Sequence, residues 1–513
     1  VLSAACLHPR LAANLVQVAE AAAAHALFST LGKDSRVRAT FIADDGSGSS
    51  TAGAGGEKAW NGEWTTFYDA RDADDGWTAA DLGRNVAVSE IQFLARPGYA
   101  HRMTGGRFEA TNDITSDVWD VLHTITTQPA DSPTINSVVL RAGPSFRYIR
   151  YCSPSGGHCN IACVDVFGQV EPTLAWAALV NVVWASQQCY WSRPRWRGVN
   201  FGGWLLLEPG PSWRLWAEAG SPEGVEDEYG LCLHLRATGR LGIIEEHRRT
   251  WMTEETFRRL ALRGLNAVRI PFGYWIVTGP TCGEPFVGPG LEHLDRAVDL
   301  AERFGFQVVL DLHGNPGGES GAVPTGRRNP RWTEADWRRE EALQVLAAVA
   351  GRFAGRRCVA GIQVANEPSP KNSMRALCDW FEKAIGVIRA AGMAADQAAV
   401  VLPIYFHDRL EAFASTWAAR GNFLRFEHVV LDLHYFHCFG AGWERLCHEG
   451  HLAVADRHGS VLRSLPGAVV GEWSLARPAE LPVADGMERR FAERQLRAYD
   501  AASHGWFFWN YPP

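Results

Sequence analysis

Two glutamates stand directly after short apolar runs, where a carboxylate is costly unless the protein uses it. Glu367 follows the run IQVAN, and Glu472 follows the run AVVG. A buried carboxylate is unfavourable unless another group pairs with it. Two carboxyl groups that face each other at about 5–5.5 Å can cleave a glycosidic bond with retention, one as nucleophile and one as acid and then base. The pair therefore predicts double-displacement chemistry on a sugar.

Further polar and aromatic residues stand near the ends of similar apolar runs. Such side chains can keep a carboxylate ionised, bond to sugar hydroxyls or stack on a sugar ring. The candidates are Glu208, Arg269, His313, Asn366, His434 and Trp509. A single glutamate would more often be an ion-pair partner, here of Arg269, but two glutamates together with this set favour catalysis. The histidines stand on separate runs without a His-x-x-x-His spacing, so no metal site is predicted.

Eight strand-like apolar runs alternate with helical stretches over residues 197–513. The runs are GVNFGGWLLLE, NAVRIPFGY, QVVLDLHG, GIQVANEP, AVVLPIYFH, HVVLDLHYFH, AVVGEWS and GWFFWNY. Strands that are apolar throughout are buried on both faces, and helices between them, such as Thr253–Arg263 and Leu291–Phe304, predict a (β/α)8 TIM barrel. The carboxyl ends of its strands would bring the candidate residues together. A doubly wound sheet is disfavoured, because no glycine-rich phosphate loop follows the first strand.

The region before the barrel has a different pattern. Short strand-like runs separated by turn residues over 40–170 predict an all-β sandwich. Residues 1–39 contain a predicted helix over 10–32, and residues 171–196 contain a second one, Leu174–Ala185, followed by a linker. The sequence stops soon after the eighth barrel strand. We therefore expect the eighth barrel helix to be absent or replaced by one of these two helices.

The composition excludes several classes of protein. The chain has 513 residues, of which 46% are hydrophobic and 21% are charged, as is usual for globular proteins. A net charge of −7 provides no basic surface for nucleic acid. The longest apolar run, Leu174–Ala185, is well short of the ~20 residues that cross a membrane. The 21 tryptophans suit either a core or a sugar-binding cleft.

The eleven cysteines bear on the cellular compartment. Cys152, Cys159 and Cys163 cluster, and Cys438 stands nine residues before Cys447, so local disulfide bridges are allowed. Bridges would favour a secreted or luminal protein, although the odd number leaves at least one thiol unpaired. No Cys-x-x-Cys pair occurs, which argues against structural zinc.

Seven motifs follow one another along the barrel region: RGVNFGGWLLLEP, DEYGLC, GLNAVRIPFGYW, VVLDLHGNPGG, VANEP, VVGEWS and GWFFWNY. They resemble the glycoside hydrolase family 5 barrel, and within it the branch of exo-β-1,3-glucanases and related β-glucosidases. The resemblance implies that Glu367 is the acid/base and Glu472 the nucleophile. It also implies that Trp509 lies under the sugar of the −1 subsite and that Glu208 bonds to its hydroxyls. The other subsite residues would be Arg269, Asn366, His313 and His434.

The sequence departs from that family at two places. The sixth strand of the family commonly reads Asp-x-His-x-Tyr, with the tyrosine hydroxyl on the nucleophile, whereas this chain has Phe436 at the last position. The exo-glucanases also carry an Asp-Asn pair that helps to bind the terminal glucose. The segment from Glu319 to Asn329, ESGAVPTGRRN, has no such pair in register.

The region over 40–170 carries its own set of motifs: KAWNGEWTTFYD, GWTAADLG, VSEIQFLARPG, HRMTGGRFEATND and FRYIRYCSPSGGHCNIACVDVFG. They resemble a discoidin (factor 5/8 type C) sandwich, and such modules often bind carbohydrate through loops at one end. The loop candidates are Trp64, Arg71, Tyr99, His101 and Arg102. The alternative is a purely structural module, for example a support for the barrel.

These observations together predict a retaining β-glycosidase that acts on β-glucosides or short β-glucans. Its partner would be a carbohydrate, with no metal or organic cofactor, and the sequence specifies no oligomeric state. The alternatives are a transglycosylase that uses the same covalent intermediate, a glycolipid β-glucosidase, or a glycan-binding protein whose barrel has lost activity.

Overall fold

The protein is described by a computed structural model. The residues that the structure describes are 36–37, 39–44, 48–49, 51–71, 76–113, 118–140, 145–170, 183, 193–404, 407–439, 443, 448–479, 481 and 485–511. The helix predicted over 10–32 lies outside them, and so does Leu174–Ala185 apart from Val183. Val183 is fully buried in the apolar core of the barrel.

The first part of the described chain is an all-β unit, as predicted. Its strands are β1 (Arg36–Val37), β2 (Thr40–Asp44), β3 (Tyr68–Asp69), β4 (Trp77–Leu94), β5 (Arg107–Thr111), β6 (Asp120–Thr124), β7 (Asn136–Val139), β8 (Phe146–Cys152), β9 (Asn160–Ile161) and β10 (Cys163–Val170). The long β4 pairs antiparallel with β2 and β8 over its first half and with β7 and β10 over its second half. Strand β4 therefore joins strands paired at both of its ends into one eight-stranded sheet, and residues of this sheet contribute to the main apolar core of the unit.

Eight parallel strands then close into a barrel, which confirms the predicted fold class. They are β11 (Trp196–Asn200), β12 (Ala267–Gly273), β13 (Gln307–Gly314), β14 (Val359–Gln363), β15 (Ala399–Pro403), β16 (Val429–Tyr435), β17 (Ala468–Trp473) and β18 (Gly505–Phe508). The barrel closes because β11 pairs with both β12 and β18. Every residue of β12, β16 and β17 is buried, as their uniformly apolar runs predict.

The first strand is shorter than its apolar run. The run GVNFGGWLLLE predicts a strand as far as Glu208, but β11 ends at Asn200. The backbone turns at Gly202 and Gly203, and Gly203 has a φ of +79°, which favours glycine. The residues that follow form a loop, so Glu208 lies on a loop and not at a strand end.

Helices fill the connections between the barrel strands. Those within the described residues are α1 (Trp213–Glu218), α2 (Glu228–Ala237), α3 (Gly242–Trp251), α4 (Glu254–Leu262), α5 (Trp275–Thr278), α6 (Leu291–Phe304), α7 (Arg339–Phe353), α8 (Met374–Ala390), α9 (His407–Ala419), α10 (Asn422–Arg425), α11 (His448–Arg463) and α12 (Met487–Tyr499). Helix α4 begins after a capping box of Thr253 and Thr256, and α6 ends at Gly305 in the left-handed conformation. Both agree closely with the predicted helices.

The all-β unit contacts the barrel through helix α11. Arg457 of α11 forms an ion pair with Glu90 of β4, and both side chains are almost fully buried. The Arg457 guanidinium also lies 4.1 Å from the ring centroid of Phe167 in β10. Ser137 Oγ donates a hydrogen bond to Glu90 at 2.6 Å. A buried charge pair thus joins the two parts of the chain.

Two further predictions concern disulfide bridges and membrane-spanning helices. Cys152 and Cys163 form no disulfide bridge, and burial raises the pKa of each thiol to about 12. Cys438 forms no disulfide bridge either, and Cys447 lies outside the described residues. Among the described helices, none has the length and apolar character to cross a membrane.

Candidate active site

Arg269 on β12 lies at the centre of the polar network inside the barrel. Its Nη1 donates to Glu472 Oε1 at 2.8 Å and to Asn200 Oδ1 at 2.7 Å. Its Nη2 donates to Asn366 Oδ1 at 3.0 Å and lies 2.9 Å from Asp311 Oδ2. The guanidinium is therefore held by groups from four other strands or strand ends. This geometry fixes one oxygen of Glu472 and leaves Oε2 directed elsewhere.

His434 on β16 joins the two glutamates. Its Nδ1 lies 2.7 Å from Glu367 Oε1 and 3.6 Å from Glu472 Oε2, and its Nε2 lies 3.1 Å from Asp432 Oδ2. One oxygen of each glutamate and one nitrogen of His434 all lie within 4.8 Å of one another. The two carboxylates thus face each other across a narrow gap.

Electrostatics favour positive charge between these carboxylates. Burial lowers the pKa of His434, but the carboxylates of Glu472 and Asp432 outweigh it and hold the pKa well above its ordinary value. His434 is then protonated at neutral pH and donates from both ring nitrogens. Burial raises the pKa of Glu472, and the charges of His434 and Arg269 oppose that rise. The nearby cations therefore favour the ionised form of Glu472.

The same three groups could be considered for a metal ion. Glu367, His434 and Glu472 are close enough to share one. Both ring nitrogens of His434 already face carboxylate oxygens, however, and Arg269 already pairs with Glu472. The donor set does not fit a resident metal ion.

Trp509 follows β18 and provides the aromatic wall of the site. Its ring is stacked with that of His313 at a centroid distance of 5.9 Å and an interplanar angle of 10°. A Cβ at Gly202 would approach the Trp509 ring to 2.7 Å, so a glycine is needed there. Asn510 Nδ2 donates to the Gly202 carbonyl at 3.1 Å. The turn after β11 therefore positions the Trp509 ring.

Glu208 reaches the site from the loop after β11. Burial raises its pKa to about 7, an effect that His313 opposes and the charges of Glu472 and Glu367 reinforce. Its backbone N–H donates to Ser212 Oγ at 3.2 Å, and that hydroxyl donates to the Gly203 carbonyl at 3.0 Å. The loop therefore holds a third carboxyl group close to the other two.

Four buried polar residues of the network were missed from the sequence: Asn200, Asp311, Gln363 and Asp432. Two of them had a usable signal, because the hexapeptide VVLDLH occurs at 308–313 and again at 429–434. Residues two apart on a strand share a face. Asp311 accordingly bonds to His313 at 2.7 Å, and Asp432 bonds to His434.

Phe436 follows β16 at the mouth of the barrel. Its ring packs edge-to-face against Phe439 at a centroid distance of 5.1 Å. Tyr435 faces outward and stacks on His458 at 3.7 Å. Within the described residues, Glu472 accepts a hydrogen bond from Arg269, lies 3.6 Å from His434 Nδ1 and has no hydroxyl partner. Tyr405, another candidate for that hydroxyl, lies outside the described residues.

Three of the loop candidates of the all-β unit lie together, with the His101 ring centroid 6.3 Å from that of Tyr99. The Arg102 guanidinium lies 4.5 Å from the Tyr99 ring centroid, and Trp64 packs half-buried against an apolar cluster. Arg71 and His101 are exposed. Tyr99 and Arg102 therefore serve at least partly as framework residues.

Comparison with known proteins adds evidence on the family. The sequence model described as cellulase (glycosyl hydrolase family 5) matches residues 237–512, just over half of the chain. The chain is 36% identical over 286 residues to a probable glucan 1,3-beta-glucosidase A from Emericella nidulans, covering 54% of this chain and 66% of that relative. It is 31% identical over 357 residues to the protein of the same name from Aspergillus fumigatus, covering 61% of this chain and 82% of that relative.

A solved structure shares the barrel fold. The crystal structure of rutinosidase from Aspergillus niger superposes with a TM-score of 0.51 at 21% sequence identity. The superposition covers 63% of this chain and 90% of that chain.

Proposed function

This chain belongs to glycosyl hydrolase family 5, and on that premise we propose that it removes glucose from β-glucosides and short β-glucans with retention of configuration. One observation carries this function: an oxygen of Glu367 and an oxygen of Glu472 lie within 4.8 Å of each other. Inverting enzymes keep their carboxyl groups about 6.5–9.5 Å apart to admit a water molecule. The short separation favours direct attack by one carboxylate.

Glu472 is the proposed nucleophile. Its Oε1 is occupied by Arg269, so Oε2 attacks the anomeric carbon and forms the glycosyl-enzyme. Arg269 and the protonated His434 stabilise the carboxylate before attack and when it leaves again.

Glu367 is the proposed acid and base. Its side chain is 22% exposed, whereas that of Glu472 is 6% exposed, so Glu367 has access to the leaving group and to water. It first protonates the leaving oxygen and then removes a proton from the incoming water. His434 holds it in place through the bond at 2.7 Å.

The sugar itself is bound by the remaining groups. Trp509 provides a flat apolar face for the pyranose ring, and Glu208 and His313 lie near enough to bond to its hydroxyls. Asn366 stands next to the acid/base and is proposed to bond to the 2-hydroxyl. The glucan 1,3-beta-glucosidase names of the relatives support a glucose unit in this subsite.

Azide rescue tests the two roles. Glu472→Ala should lose turnover of every substrate, and added azide should give the α-glycosyl azide by single displacement. Glu367→Ala should lower kcat by about 10²–10⁴-fold on poor leaving groups. On a 2,4-dinitrophenyl β-glucoside the same variant should lose less of its kcat, and added azide should give the β-glycosyl azide.

Glu319→Gln is the matched control, because Glu319 is a buried carboxyl of the same barrel that is outside the proposed pair. It should keep hydrolysis and form no azide product. If Glu472→Ala gives the β-azide and Glu367→Ala gives the α-azide, the roles of nucleophile and acid/base are exchanged between the two glutamates. Wild-type protein that binds β-glucosides and hydrolyses none would overturn the proposed function.

We also propose that the all-β unit supports the barrel. The buried pair of Glu90 and Arg457 favours this role over that of a detachable binding module.

A further inference from the structure

A cavity of about 410 Å³ lies beside the proposed catalytic site and shares none of its residues. It is bounded by helices α1, α3 and α4 and by Tyr511 after β18. Its volume is in the range of small-molecule sites. The proposed mechanism makes no use of it.

The cavity and the catalytic site share one wall, the turn at Gly202 and Gly203. Ser212 and His247 line the cavity and both donate to the Gly203 carbonyl, at 3.0 Å and 2.8 Å. On Gly202, the space that a Cβ would take is filled by the Trp509 ring. The cavity is therefore next to the sugar platform but separated from it by backbone.

The lining offers hydrogen-bonding groups that the protein does not use. Trp251 lines the cavity with part of its ring and is 6% exposed, whereas its indole nitrogen is itself buried. The Nε2 of His247 donates to a carbonyl, and burial lowers the pKa of this histidine. The ring is thus neutral, and its Nδ1 is an acceptor.

The aromatic groups provide a flat contact surface. Trp213 is 59% exposed, which is unusual for so large an apolar side chain, and Tyr511 stands at another wall of the cavity. The flat apolar face of an indole suits the C–H surface of a pyranose ring, and the hydroxyls at the edge of that sugar remain free to bond to polar groups.

The charges of the lining disfavour an anionic ligand. Two arginines and three glutamates line the cavity, so an anion gains no net attraction. Glu246 is paired with Arg249, and Glu255 is paired with Arg258 and Arg259. The lining residues Arg214 and Glu218 add one donor group and one acceptor group.

We propose that this cavity is a second glycan-binding site that holds one pyranose unit. Trp213 stacks on the ring, and His247 and Glu218 accept from hydroxyls. Only the choice of glucose as the sugar rests on the proposed function. The site binds a glycan without contributing to the cleavage.

Calorimetric titration of the full-length Glu472→Gln protein with laminaribiose tests this inference. We expect two binding events. Adding Trp213→Ala should weaken one of them by about tenfold or more and leave the other unchanged. Adding Trp509→Ala should do the reverse. Trp213→Phe should keep both events, because an aromatic face remains.

Catalysis provides an independent readout. Trp213→Ala in the otherwise wild-type chain should hydrolyse an aryl β-glucoside with kcat/KM within about twofold of wild type, since the cavity that Trp213 lines shares no residue with the catalytic site. A single binding event that Trp213→Ala does not change would overturn the second site. If the wild-type protein hydrolyses no β-glucoside but the Trp213-dependent event persists, the proposed function fails and the second site stands.

Discussion

Phe436 is the residue at which this site differs from the family pattern. It stands two residues after His434 and just past the end of β16, so a continued strand alternation would put it on the face of His434, which lies 3.6 Å from Glu472. A hydrogen bond to a charged group is worth about 1.5–3 kcal/mol, and about 1.4 kcal/mol is tenfold in rate. Phe436→Tyr should therefore raise kcat on an aryl β-glucoside at least several-fold.

Phe439→Tyr is the control for Phe436→Tyr, because Phe439 contacts Phe436 and is exposed. It should leave kcat unchanged. An unchanged kcat in Phe436→Tyr would mean that the ring does not face the nucleophile, or that water already supplies the bond.

Glu208 should impose a pH dependence on substrate binding. Its pKa is raised to about 7, so the carboxyl gains its charge as the pH rises through that value. A charged acceptor bonds sugar hydroxyls more strongly than a neutral one. We expect kcat/KM to rise through pH 7 in the wild type. In Glu208→Gln this inflection should be absent, and kcat/KM at pH 8 should be about tenfold lower.

Glu319 is a stringent control for Glu208, because burial raises its pKa to about 7 as well. Glu319→Gln should retain the inflection. If the inflection persists in Glu208→Gln and disappears in Glu319→Gln, the titrating group is Glu319.

At the scale of elements, two histidines join the beginnings of β16 and β18. His428 donates from Nδ1 to the Ala395 carbonyl, and its Nε2 lies 3.2 Å from Nε2 of His504. The two facing nitrogens can share only one hydrogen, so the two rings cannot both be protonated. Burial lowers the pKa of His428 to about 4 and that of His504 well below its ordinary value.

This pair should make the barrel sensitive to acid. The unfolded chain takes up a proton near pH 6.5 and the folded His428 only near pH 4, so stability is lost as the pH falls between these values. The loss from His428 is about 3 kcal/mol. The free energy of unfolding, measured with denaturant, should differ less between pH 7.5 and pH 4.5 in His428→Asn than in the wild type. His101→Asn, at an exposed position, should behave like wild type, and an unchanged pH effect in His428→Asn would contradict the assignment.

At the scale of the whole molecule, the pair of Glu90 and Arg457 should couple the all-β unit to the barrel. Removing one partner of a buried ion pair costs about 3–5 kcal/mol, because the other charge remains buried. Arg457→Met should lower the free energy of unfolding by that order. It should also split one calorimetric transition into two, one for each part of the chain.

Arg463→Met is the matched control, since Arg463 lies on the same helix and is exposed. It should leave the unfolding transition unchanged. The replacement of both partners, Glu90→Gln with Arg457→Met, should restore part of the stability. A single unchanged transition in Arg457→Met would show that the all-β unit does not support the barrel.

The sequence by itself determined the barrel fold and the types of reactive side chain within it. Eight uniformly apolar runs are a local property, and burial on both faces requires that property of each strand separately. Helix α6 could be predicted for the same reason, because its apolar spacing and its terminal Gly305 are both local signals. Glu367 and Glu472 stood out because a carboxylate next to an apolar run conflicts with burial.

Only the tertiary structure decided which of these groups meet. Arg269 and Glu472 are 203 residues apart in sequence, and their bond depends on barrel closure and on strand register, which no local pattern encodes. The loop that carries Glu208 was mistaken for a strand, because the glycine turn that ends β11 lies within an otherwise apolar run. Glu90 and Arg457 are 367 residues apart, and neither stands in a local pattern that indicates a buried pair. Local periodicity specifies the elements, whereas the packing of distant elements specifies the contacts.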